Sequence, residues 1–81
     1  MRLDKYLKVS RLIKRRTVAN EACDSEHVKV NGKTAKASYE VKPGDMVEIR
    51  FGSRTLRVEV LNVSEHTGKA DAPAMYRELP S

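Results

Sequence analysis

The sequence predicts an α+β fold, with two N-terminal helices packed on a small antiparallel sheet and a short irregular or helical C-terminal tail. Three observations predict it. Apolar residues recur at helical spacing as far as residue 25, the apolar period drops to two from residue 28, and turn signals separate the short alternating runs.

In the first helix Leu3, Tyr6, Leu7 and Ser10 form one stripe, while Arg2, Lys5, Lys8 and Arg11 step by threes along a neighbouring face. The segment SRLI then turns the chain. A second helix is expected from about Arg15 to Ser25, with Val18, Ala19, Ala22 and Cys23 inward; side chains this small let two helices approach closely. Val28 and Val30 precede Asn-Gly, the strongest short-range hairpin signal, and KPGD carries proline and glycine where a β-turn needs them. Val47, Ile49 and Phe51 alternate with charged residues, as do Leu56, Val58 and Val60. Each strand therefore has one apolar face, and the sheet should bury only that side, against the helices. Lys33 and Lys36 read as solvated strand charges. After Val63 the period is lost; PAMYREL suggests a last helical turn or two with Asp71 near its start, and Met75 with Tyr76 anchoring the tail. The expected division is one domain over residues 1–63 and a tail over 64–81.

Eighty-one residues suffice for one modest core. The net charge of +5 is unevenly spread: residues 1–16 carry +6 and the remaining 65 sum to −1. A basic field confined to the first fifth of the chain points to a polyanion, most often nucleic acid, and less often to an anionic membrane or an acidic protein. Four of the seven cations are arginines, whose planar fork suits phosphate. The single cysteine excludes an internal disulfide, and MRLDKYLKV is too charged for the apolar core of a signal peptide or a membrane span, so a cytoplasmic protein with no membrane partner is expected.

Nothing in the pattern calls for catalysis, a metal or a cofactor. His27 and His66 lack metal-ligand spacing, Cys23 sits on an apolar helix face, and Gly32 and Gly44 stand at turns rather than in a phosphate loop. With four aromatics and no stacking pair among them, recognition of structured RNA by shape and phosphate geometry is expected over base reading.

MRLDKYL, KRRTVA, VKVNGK and VKPGDMVEI, in that order and spacing, resemble the RNA-binding domain of the small-subunit ribosomal protein four type, the S-four domain, over about residues 1–50. That resemblance implies two packed helices presenting basic residues to RNA. The chain is also similar to the free-standing members of the family that act in ribosome-associated quality control, the RqcP type, and more distantly to small heat-shock S-four proteins. It implies, as partners, the rRNA of a large ribosomal subunit with its trapped peptidyl-tRNA, and an RqcH-like factor that adds alanine without a template. A monomer is expected. Other readings are a generic S-four adaptor in ribosome assembly and a basic module for an acidic protein. Asp4, Arg16, Ala19, Asn31 and Gly32 match the family pattern; Arg15 replaces a serine that would cap the second helix, and Glu26 replaces a glycine that would close it.

The expected RNA contacts are Arg16 first and Arg2 second, then Lys5, Lys8, Arg11, Lys14 and Arg15. Asp4 has two readings, a carboxylate favoured by the helix dipole or an orienter of Arg2 or Arg16.

Overall fold

A computed structural model of the chain describes residues 1–63 and 75–80. Helices α1 (Leu3–Val9) and α2 (Arg16–Asp24) are followed by strands β1 (Val28–Val30), β2 (Lys33–Thr34), β3 (Met46–Phe51), β4 (Arg54–Val60) and β5 (Tyr76–Leu79). The five strands form one antiparallel sheet in the order β2-β1-β3-β4-β5.

Register carries the apolar alternation across the sheet. Val28 stands opposite Ile49, Val30 opposite Val47, and Val47 opposite Val58, so one face presents an unbroken apolar row. These side chains are buried together with Leu3, Tyr6 and Leu7 of α1 and Ala19 and Cys23 of α2. Each fully buried aliphatic side chain contributes about 1.5 to 3 kcal/mol. The turns follow their sequence signals: Asn31 and Gly32 both take positive φ, as a two-residue hairpin needs, and Asp45 N–H donates to Lys42 O across Pro43-Gly44. Asp45 then accepts from Asn31 Nδ2, Tyr39 Oη and Lys42 N–H, locking one turn to the other.

Four expectations are corrected. The tail is not helical at Tyr76–Leu79, because the outer edge of β4 offers unpaired backbone groups and this segment satisfies them, with Tyr76 opposite Val60. Met75 does anchor it: its side chain is buried and its carbonyl accepts from Tyr6 Oη at 2.7 Å. Val18 is 48% exposed, since the buried arc of α2 is narrow, centred on Ala19 and Cys23, and Val18 stands about 100° round from Ala19. Phe51 has the inward register but is 45% exposed, where the sheet runs past the cover of the helices. Lys36 belongs to no strand; it lies in the connection after β2. His66 and Asp71 lie outside the described residues.

The missing glycine after α2 has a structural answer. Glu26 itself adopts φ +62, His27 N–H donates to Ala22 O and Glu26 N–H to Cys23 O, the bonding pattern of a Schellman cap. A non-glycine residue in that conformation costs roughly 1 kcal/mol. Arg11, at φ +67 just beyond α1, accepts the same strain, with its N–H donating to Lys8 O.

Candidate nucleic-acid interface

The centre of the basic surface is an acid. Asp4, in the first turn of α1, is 2% exposed, and four groups converge on its carboxylate. Arg2 Nε donates to Oδ1 at 3.2 Å, Arg16 Nε to Oδ2 at 3.4 Å, Asn20 Nδ2 to Oδ2 at 3.3 Å, and Lys5 N–H to Oδ1 at 2.8 Å. Burial works to raise the pKa of Asp4, but the hydrogen bonds from Arg2, Asn20 and the Lys5 N–H, together with the Arg16 charge, outweigh it and hold the carboxyl below its ordinary value. Asp4 is thus an anion in the folded protein near neutral pH.

Both arginines remain half exposed. Among the described residues Arg16 is engaged only through Nε, which leaves its two terminal nitrogens free to donate to a ligand while the carboxylate fixes the direction of the side chain. Arg2, Asp4, Arg16, Thr17, Asn20 and Glu21 line a shallow groove between the helix starts. Both readings of Asp4 therefore describe its geometry, since it lies in the first turn of α1 and contacts both arginines.

The two helix starts differ in how their backbone is satisfied. At α1, Leu3 N–H donates to Tyr39 O at 2.8 Å and Asp4 N–H to Ala37 O at 3.2 Å. At α2 the N-cap is Arg15, which forms no side-chain cap bond, and the N–H groups of Arg16, Thr17 and Val18 meet no acceptor among the described residues. Three open donors and the positive end of the helix dipole thus lie beside Arg15 and Arg16, an arrangement suited to an anionic oxygen.

The remaining cations are spread around this centre. Lys5 is half-buried on α1, Lys8 is exposed in the last turn of α1, Arg11 follows it, and Lys14 and Arg15 are exposed on the way into α2. Among the described residues, Arg2 and Arg16 are brought together on one carboxylate. Asn20 was not singled out from sequence, although its position four residues after Arg16 places both on one helix face. Lys36 was set aside, yet its neighbour Ala37 takes the Asp4 N–H, so Lys36 stands beside the start of α1. Cys23 is buried, and desolvation with the nearby charges of Asp4 and Asp24 pushes its thiol up to about 11, which keeps it protonated and unreactive at neutral pH.

Comparison with known proteins places this geometry. The family model described as S4 domain matches residues 1–47, more than half of the chain. This chain belongs to the S4 domain family. Among S4 domain proteins it is 59% identical, over 94% of its length and 86% of the relative's, to the RQC P-site tRNA stabilizing factor of Streptococcus pneumoniae. Against the protein of that name from Bacillus subtilis it is 53% identical over 98% of its length and 92% of the relative's. The Heat Shock Protein 15 structure from Vibrio cholerae, described as trimeric, superposes with a TM-score of 0.89 at 31% identity, covering 98% of this chain and 81% of that one. Its two-helix and sheet fold is therefore the S4 fold, with β5 part of the shared architecture.

Proposed function

We propose that this S4 domain protein is a non-catalytic RNA-binding factor of ribosome-associated quality control, acting on the large ribosomal subunit that still carries an obstructed peptidyl-tRNA. The observation that carries the reading is the Asp4 clamp, which holds Arg2 and Arg16 beside the open start of α2. A paired, pre-aimed arginine loses less side-chain freedom on binding phosphate than a solvated lysine does. The names of the relatives, with identity across nearly the whole chain, support the ribosomal and P-site tRNA partners. In the finer form of the proposal the protein works in the cytoplasm as a monomer beside an RqcH-like factor, steadying the tRNA while alanine is added to the trapped chain.

No helix among the described residues is long and apolar enough to cross a membrane.

The test is sedimentation of tagged protein from cells, with the co-migrating RNA and proteins identified. Migration with free large subunits carrying peptidyl-tRNA is expected. Assembly intermediates would instead favour an adaptor in ribosome assembly, and particles without RNA would overturn the reading. In a purified system binding should weaken steeply with salt, with a log-log slope near four to five for about six displaced counterions.

A further inference from the structure

A second cationic site lies away from the Asp4 clamp, at the tip of the β3–β4 hairpin. Gly52, at φ +56, and Ser53 form a two-residue loop, and Phe51 pairs with Arg54 at the last rung of the ladder. Directly opposed residues share a sheet face, so Phe51 and Arg54 stand side by side. Arg50, one residue before, projects to the other face, and both arginines are exposed. Unlike Arg57, which is paired with Glu48, neither Arg50 nor Arg54 has a carboxylate partner among the described residues.

The cause of the exposure fixes where this tip points. Phe51 continues the apolar row of Val47 and Ile49, but β1 ends at its pairing of Val28 with Ile49, so no third strand flanks Phe51. Arg50 N–H donates instead to His27 O, just after the cap of α2, so the tip adjoins the end of that helix. The Asp4 clamp stands at the start of α2, whose nine residues span about 13 Å. Between them the end of α2 and its cap carry exposed Asp24 and Glu26, so acidic residues separate the two basic sites along the chain.

We infer that this hairpin tip is a second RNA contact, at which an unstacked base lies on Phe51 while Arg50 and Arg54 take the flanking phosphates. An exposed aromatic ring with one guanidinium group beside it on its own face and a second on the opposite face of the same hairpin end offers both halves of single-strand recognition, a stacking platform and charge-assisted donors. The same ring exposed without the arginines would be ordinary surface; the arginines without the ring would read phosphate alone. The inference rests on the ribosomal RNA reading and adds to it a bivalent geometry: the clamp holds structured backbone, and the tip holds a splayed nucleotide beyond the end of α2.

The experiment places p-azidophenylalanine at position 51 in the full chain, binds it to purified large subunits carrying peptidyl-tRNA, irradiates, and maps the adduct by primer extension and mass spectrometry. A discrete crosslink to an rRNA or tRNA nucleotide is expected. Adducts confined to ribosomal protein, or no adduct, would overturn the inference. In parallel, Phe51→Ala should weaken subunit binding about tenfold, and Arg50→Gln with Arg54→Gln should lower the salt slope by about 1.5. These side chains are exposed, so circular dichroism should stay that of wild type. Wild-type binding by these variants, with Arg16→Ala still impaired, sinks the tip alone; wild-type binding by Arg16→Ala as well sinks the RNA reading of the helices.

Discussion

The starts of α1 and α2 look alike in sequence and behave differently in the fold. Each helix has an arginine at its N-cap, Arg2 or Arg15, and neither side chain forms a cap bond to the backbone of its helix. At α1 the connection through residues 37–39 and the Asp4 carboxylate take the free N–H groups, and the arginines are drawn to that carboxylate. At α2 the donors stay open among the described residues. One end is closed by protein and serves as a mount for the two arginines; the other keeps its N–H donors unpaired among the described residues. An arginine in place of a capping serine thus exchanges a local helix bond for charge at an anion-accepting end.

The largest effect should come from dismantling the mount. Asp4→Asn keeps the volume but removes the charge that holds Arg2 and Arg16, and it should cost about 1 to 3 kcal/mol of stability and weaken subunit binding about tenfold or more. Acidity should act through the same group. Because the carboxyl titrates below its ordinary value of 3.8 in the folded state, its stabilising contribution is complete above that value and is lost as pH falls through the lower folded pKa. Denaturant melts below pH 4 should therefore show a steeper loss in wild type than in Asp4→Asn; parallel curves would show that the clamp contributes nothing to the fold.

Removing the mounted group should separate binding from folding. Arg16→Ala leaves Ala19 and Cys23 buried, so thermal melts should move by less than about 1 kcal/mol, while binding to large subunits should weaken by about 1.5 to 3 kcal/mol. Lys29→Gln, on the outer face of β1, is the control and should bind as wild type does. If Lys29→Gln were the impaired variant, RNA would lie on the sheet and not across the helix starts.

The smallest effect tests the open end itself. Arg15→Ser restores a side chain able to bond the free N–H groups of α2, and the protein should gain about 1 kcal/mol while losing one phosphate contact, read as a drop of about 0.7 to 0.9 in the salt slope. Added stability with an unchanged slope would mean that Arg15 does not meet phosphate.

Much of this molecule was legible from its residues. The change of period at residue 28 marked the boundary between helices and strands, Asn31-Gly32 and Lys42-Pro43-Gly44-Asp45 marked two turns, and the concentration of charge in residues 1–16 marked the basic helical surface. The strand at Tyr76–Leu79 was not legible, because its reason to be extended is the open edge of β4 and not an alternation of its own. Nor was one of the partners of Asp4, since Asn20 looks like any polar residue on a helix until the two helices cross.

The sequence by itself determined what acts locally or by repetition: the helical and strand periods, the turn chemistry, and the sign and place of the net charge. Tertiary structure decided which charges meet. Arg2 and Arg16 lie fourteen positions apart, and only the packing of α2 on α1 brings both within 3.4 Å of one buried carboxylate. It also decided that Phe51 stays uncovered while Val47 and Ile49, in the same register, are buried. The physical reason is common to both cases: hydrogen bonds along the backbone and side-chain alternation extend only along an element, whereas desolvation depends on what other elements happen to cover it, and the energy of a charge depends on which partners that cover leaves within reach.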